Sequence, residues 1–331
     1  MKSKKEFSPF IYILPAAIIV LFFRFIPIVL SFILSFFNWT IRGPEGFIAF
    51  ENYIKLFKDA QFWHSLINTF YLAVFVVPIT LILSLFFANL LNKVKKLSGF
   101  FRTTYFIPTV TSLVAISIVW KLIFSPQSGL MNSFLSIFGI HGLGWLSESR
   151  GVFDLLLGTV GINLTHWLKI LATQTGASFS MLYIIFGGPS LALFAIIIVC
   201  IWRGMGYNTI VYLAGLQNIP EIYYEAAEID GASKFKQFFK ITVPLISPTT
   251  FYVLLMTTIT TFQVFSQVYL MTGPPVGGPL GTTKVIVYYI YDTGLGEAMD
   301  LSYASTIALV LFFIILSLTL LQKRLEKKVH Y

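Results

Sequence analysis

Residues 220–244 read PEIYYEAAEIDGASKFKQFFKITVP, a charged hydrophilic island inside a very apolar chain. Pro220 suits a first helical position, Glu221 favours the positive end of the helix dipole, and Glu225 and Glu228 lie on neighbouring turns. A short helix is therefore expected to run to about Asp230. Gly231 then permits a bend that a residue with a Cβ resists, and Ser233 can cap a second helix through Phe239. Ala226, Ala227 and Ala232 keep this elbow slim enough to slot into a groove on another protein.

Outside the island the composition is that of a membrane protein. Of 331 residues, 56% are hydrophobic and 11% charged, far from the balance of a soluble domain. About 20 apolar helical residues cross a hydrocarbon core of roughly 30 Å. Apolar runs of that order occupy 10–37, 70–91, 105–124, 191–213, 245–271 and 303–321. They predict an all-α integral membrane protein with six core spans, a single transmembrane domain over 1–331. A β-barrel is excluded because its strands alternate apolar and polar residues, whereas these runs are continuous.

Lys and Arg in short loops accumulate on the cytoplasmic side. Fourteen fall on one side of this topology: Lys2, Lys4, Lys5, Lys93, Lys95, Lys96, Arg102, Lys234, Lys236, Lys240, Lys323, Arg324, Lys327 and Lys328. Six fall on the other: Arg42, Lys55, Lys58, Arg150, Lys169 and Lys284. Both termini and the 214–244 loop are thus expected in the cytoplasm of a bacterial or archaeal cell membrane. The net charge of +9 follows from this asymmetry and from anionic lipid, not from nucleic-acid binding. Lys2, Lys4 and Lys5 before an apolar run imitate a secretory signal, but the run from Phe10 is too long for a signal core and lacks a small-x-small site before Asn38.

Several details qualify the six-span reading. Arg24 sits in the first run between Pro15 and Pro27 and should face protein or snorkel. On the outer side, Gly43-Pro44-Glu45-Gly46 marks a turn and Tyr53 to Phe62 reads as a short interfacial helix. The 125–189 segment contains another apolar stretch, Val152 to Ala172, with Asp154, Asn163, His166 and Lys169. One extra crossing there would move the Glu225 loop outside, so 125–189 is expected to be external or interfacial, or to add an even number of crossings. Pro244 and Pro248 fit the start of the fifth span, and turn-rich outer sequence follows it from Thr272 to Gly281. Gly277 to Lys284 does not match a phosphate loop, because the fifth residue after Gly277 is Thr282.

Glu225-Ala226-Ala227, three residues, Gly231, nine residues and Ile241-Thr242-Val243-Pro244 resemble the EAA loop of permease subunits of binding-protein-dependent ABC importers. Only Val243, where the family pattern has Leu, departs from it. Asn52-Tyr53, Asn68-Thr69, Trp202-Arg203-Gly204, Ile229-Asp230-Gly231-Ala232 and Thr272-Gly273-Pro274 resemble the carbohydrate-type subgroup, in the manner of the larger maltose permease subunit. The resemblance covers most of the chain apart from about 151–188. It implies a second permease subunit, two ATPase subunits, an extracytoplasmic solute-binding protein and a sugar-like solute as partners. It further implies that Glu225, Ala226, Ala227, Asp230, Gly231 and Pro244 transmit ATPase motion, with no cofactor and no catalytic residue in this chain.

For the solute path, Thr257 and Thr261 share one helical face, and Gln263 and Gln267 share another. The resemblance adds Gly204 and Tyr207 to Thr257, Thr261 and Gln263. Buried polar rows also join membrane helices, which is the structural alternative. Cys200 is the only cysteine and reads as a packing residue, and His64, His141, His166 and His330 lack metal-ligand spacing. Glycerol phosphate or another polyol derivative is the alternative cargo. A stand-alone secondary transporter would need acids within its spans, whereas all 14 acids here fall in loops or at their margins.

Overall fold

The computed structural model describes residues 8–40, 43–93, 98–140, 142–176, 178–273, 277–296 and 299–326. Lys2, Lys4, Lys5, Arg42, Lys95, Lys96, His141, Pro274, Pro275, Lys327, Lys328 and His330 lie outside the described residues. The chain is predominantly helical and divides into two compact units, 1–62 with 289–314 and 63–288 with 315–331. Four helices are single, long and apolar enough to cross a membrane: Tyr12–Leu34, Ala60–Lys93, Leu191–Gln217 and Leu301–Arg324. Three bent helix pairs pass the same test as pairs, for up to seven in all.

In the first unit, the apolar helix from Ser8 widens into a π-turn over Leu21–Phe25, where the Ile26 amide donates to Leu21 O. Pro27 has no amide to continue the regular ladder, which accounts for the wide turn. Arg24 lies within it and makes no hydrogen bond or ion pair among the described residues, so the protein partner expected for it is not supplied there. The all-α architecture holds in a predominantly helical chain, with one small local exception. Phe37–Thr40 and Gly43–Phe47 pair as an antiparallel hairpin, Phe37 opposite Phe47, with a bulge at Asn38/Trp39. The Gly43 to Gly46 stretch read as a turn is thus a strand.

The interfacial helix spans Glu51–Lys58 rather than Tyr53 to Phe62. Asp59 leaves the helical conformation and accepts from the Gln61 amide at 2.8 Å, which starts the next helix. Its other carboxylate oxygen accepts from Tyr289 Oη at 2.5 Å and Tyr303 Oη at 2.7 Å. Tyr53 and Asn52 bind Ser35, and Lys55 lies over the Tyr303 ring at 4.1 Å and pairs with Asp300.

The second unit is built round Leu191–Gln217, whose first half is almost wholly buried among Leu72, Val76, Ile116, Phe124, Trp145 and Val268. Cys200 is buried there, as a packing residue should be. Lipid tails are as apolar as Leu, so membrane helices are held by close packing and internal hydrogen bonds more than by water exclusion. Gly206 shows the first: a Cβ there would lie 2.3 Å from the Tyr105 carbonyl of the Ser98–Val110 helix. Asn208 Nδ2 to Thr257 Oγ1 at 3.0 Å and Gln322 Nε2 to Thr258 Oγ1 at 2.9 Å show the second.

Two runs read as continuous spans are broken. The 105–124 run is two helices, Thr103–Val110 and Leu113–Ile123, bent by 102°. Pro108 removes a backbone donor just before the bend, and Ser112 takes an extended ψ of 127°. The 245–271 run starts at a 66° bend at Ile246, where Pro248 cannot bond back to Pro244, and breaks again at Gln263–Phe265 before Ser266–Met271.

The Val152 to Ala172 stretch is also not one helix. Val152–Thr159 and Leu164–Thr175 meet at 117°, with Gly161 at φ +83° and Asn163 capping the second helix through the His166 amide. Twelve helical residues rise only about 18 Å, against roughly 30 Å of hydrocarbon. The segment begins and ends at one place. Val152 N donates to Pro189 O at 2.9 Å and Leu191 N to Arg150 O at 3.0 Å, and Tyr183 Oη receives the Gly151 amide while donating to Asp154.

Candidate functional site

The charged island folds as an elbow. Pro220 and Glu221 precede a helix over Ile222–Ile229 and accept the first free amides, from Tyr223 and Tyr224. At its end, Gly231 has φ +73°, its amide donates to Glu228 O at 3.0 Å, and the Ala232 amide donates to Ala227 O at 2.8 Å. These two bonds form the Schellman arrangement, in which the residue after the cap must be left-handed. That accounts for the four-residue step from Ala227 to Gly231. Space does not, since nothing lies within 4 Å of a Cβ built on Gly231.

Beyond the bend, Ser233 Oγ accepts from the Lys236 amide and begins Lys234–Gln237, as expected. The second helix does not stop at Phe239. It continues through a π-turn at Phe238–Thr242 into Val243–Leu245, with Pro244 in the first turn of that last piece. Three contacts fix the angle: Tyr224 Oη with Thr242 Oγ1 at 2.9 Å, Gln237 Nε2 to Ala232 O at 3.2 Å, and the Lys234–Glu228 ion pair. Lys234 holds the Glu228 carboxyl below the usual carboxylate range.

The elbow's outer surface is uncovered. Ile229 is 87% exposed and Phe235 75%, with Ile222, Tyr223 and Phe239 also open. Glu225 and Ala226 are exposed beside them, as are Asp230 and Gly231, while Ala227 and Pro244 are half-buried. Among the described residues the Glu225 carboxylate has no hydrogen bond or ion pair. The arrangement is a rigid bend presenting an apolar patch and exposed acids, Glu225 among them.

The other cluster lies where the fifth apolar run breaks. Gly204, Thr257, Thr261 and Gln263 line one cavity of about 200 Å³, together with Arg203, Thr260, Ser266 and Gln267. Thr257 and Thr261 are buried: Thr257 receives the Asn208 bond, and Thr261 Oγ1 donates to Thr257 O at 2.7 Å. Gln263 is exposed and unwound. Tyr207 does not line this cavity; it is 41% exposed and its hydroxyl lies 3.4 Å from that of Tyr252. Sequence reading missed Arg203 and Thr260 as neighbours of this group. Arg203 stands in the Trp202-Arg203-Gly204 motif, whereas Thr260 reaches the cavity only through the helix break that follows it. Discontinuous helices lining a polar cavity are a recurrent arrangement at transporter binding sites. No group of three or more His, Cys, Asp or Glu suited to a metal occurs among the described residues.

The sequence profile of the binding-protein-dependent transport system inner membrane component family matches residues 66–331. The probable ABC transporter permease protein YurN of Bacillus subtilis (strain 168) is 32% identical over 330 residues, covering 99% of this chain and 98% of that protein. The lactose transport system permease protein LacF of Rhizobium radiobacter is 33% identical over 326 residues, 97% of this chain and 95% of its own. The trehalose/maltose transport system permease protein MalF of Thermococcus litoralis is 30% identical, over 97% and 94%. In fold, the chain matches a subunit of a bacterial ABC transporter involved in alginate import, with a TM-score of 0.71, 23% identity and 99% and 98% coverage.

Proposed function

The chain belongs to the family of inner membrane components of binding-protein-dependent transport systems, and from that premise we propose that it is the permease subunit of an ATP-driven importer for a sugar or small oligosaccharide. A second permease subunit would complete the pathway, two ATPase subunits would lie below, and an extracytoplasmic binding protein would deliver the solute. ATP hydrolysis then belongs to the partners. The sugar assignment is supported by relatives whose names specify lactose, arabinooligosaccharides and trehalose/maltose.

The elbow carries the coupling reading. A free carboxylate at Glu225, flanked by exposed Ile222, Ile229 and Phe235 on a hydrogen-bonded bend, suits a groove on an ATPase subunit. Closure of the nucleotide-bound ATPase pair would move the elbow, and Pro244 at the foot of the fifth span would pass that motion to the cavity at Gly204, Thr257, Thr261 and Gln263. The cavity would exchange inward for outward access, a population shift driven by nucleotide and binding protein.

The topology that goes with this has six spans, with both termini and the 214–244 loop cytoplasmic and 125–189 on the outer side. The stapled ends of the insertion support it. A segment whose first and last residues hydrogen-bond to each other leaves and returns on one side of the membrane, so it does not change the parity of the crossings.

A second cargo reading, glycerol phosphate or a related polyol derivative, is favoured by the cation Arg203 in the cavity wall. The sn-glycerol-3-phosphate transport system permease protein UgpA of Shigella flexneri is 29% identical over 286 residues. The testing experiment for the importer assignment is Glu225→Lys, which should lose both ATPase co-purification and solute uptake while the protein still inserts. Retention of the partner and of full uptake would remove the elbow from coupling.

A further inference from the structure

Two cavities of the second unit each contain one cation and no carboxylate, and one short helix separates them. Lys121 lines the larger, about 570 Å³, with Met271 and Gly273. Arg203 lines the smaller, about 200 Å³, with Ser266 and Gln267. Since the helix between them runs Ser266–Met271, the cavities lie at its two ends. The residues preceding the cations, Trp120 and Trp202, meet with ring centroids 5.6 Å apart.

Among the described residues, neither cation is neutralised by a carboxylate. Lys121 Nζ reaches the Gly273 carbonyl at 3.4 Å. Arg203 has no hydrogen bond or ion pair among the described residues, and its Nε is buried without a partner. The stretches 60–147, 191–220 and 241–291 contain no Asp or Glu at all. A cation in an apolar span is costly unless it is paired or faces water, and intramembrane cations accordingly mark solute pathways.

We infer that the imported sugar carries an oxyanion group, a carboxylate, sulfonate or phosphate, which Lys121 meets first and Arg203 then holds. An arginine fork suits the bidentate geometry of such a group, while Thr260, Thr261, Gln263 and Gln267 offer partners to neutral hydroxyls. This rests on the importer reading and narrows its solute class.

The test uses the purified transporter complex in nanodiscs without binding protein, titrated by calorimetry with D-galactose, D-galacturonate and D-galactose 6-phosphate. One of the two anionic sugars should bind about tenfold tighter than galactose, the span of one charge-assisted hydrogen bond. Which one does so separates a carboxylate site from a phosphate site. The preference should vanish in Arg203→Gln, survive in Arg203→Lys and weaken in Lys121→Gln. Equal affinity of the wild type for all three sugars, or a preference intact in Arg203→Gln, overturns the anion assignment and leaves the sugar importer standing. If Arg203→Gln sheds the second permease subunit and Arg203→Lys keeps it, the counter-charge is that subunit's and the inference fails. A complex that binds none of the three overturns the oxyanion assignment as well.

Discussion

The Ala232 amide donates to the Ala227 carbonyl at 2.8 Å, closing the elbow across Gly231 at φ +73°. A left-handed residue with a Cβ costs roughly 1–2 kcal/mol, so Gly231→Ala should weaken the elbow by about that much and reduce uptake partially. Gly231→Pro should be harsher, because proline fixes φ near −65° and lacks the amide that binds Glu228. Uptake in vesicles, with ATPase co-purification for each variant, checks the order. Alanine as damaging as proline would refute the conformational account.

Ser233 lies at the start of the second elbow helix and is exposed. With Cys200 changed to Ala, a cysteine at Ser233 should react with an impermeant maleimide in inside-out vesicles and not in intact cells. Labelling from outside would invert the topology and remove the elbow from any cytoplasmic partner.

Thr261 and Gln263 line the cavity at the helix break, and Tyr207 does not. Thr261→Ala and Gln263→Ala should therefore raise KM for uptake severalfold, while Tyr207→Phe changes it little. Basal ATPase activity of the complex serves as the assembly control. The reverse order would move the solute path to the Tyr207–Tyr252 side.

Asp59 accepts hydrogen bonds from Tyr289 and Tyr303, and burial, then the Asp59 bond and charge, push the Tyr289 hydroxyl up from its ordinary value. The protonated phenol is the donor, so its contribution is full below about pH 10. It declines progressively above that pH and is gone once the raised folded value is passed. Tyr289→Phe should cost about 1.5–3 kcal/mol near neutrality, the range for a hydrogen bond to a charged group. Thermal unfolding in detergent at pH 7 and pH 11 should show the deficit shrinking at the higher pH.

Local chemistry was legible in the sequence where the residue's own backbone or charge decides the outcome. Apolar runs at 70–91, 191–213 and 303–321 sit inside long helices, because some 20 apolar residues in lipid must satisfy their backbone groups internally. Gly231 is left-handed and Ser233 caps a helix because those roles depend on one residue and its near neighbours. Tertiary structure decided the break at Gln263–Phe265 and the sharpness of the one at Thr111–Ser112, where Pro108 supplies only the missing donor. An apolar run looks the same whether straight or folded, and only neighbouring elements repay the lost helical hydrogen bonds. It likewise joined Arg203 to Thr261 and Gln263, and Gly151 to the Ser190 region, because residues far apart in the chain become neighbours only through packing.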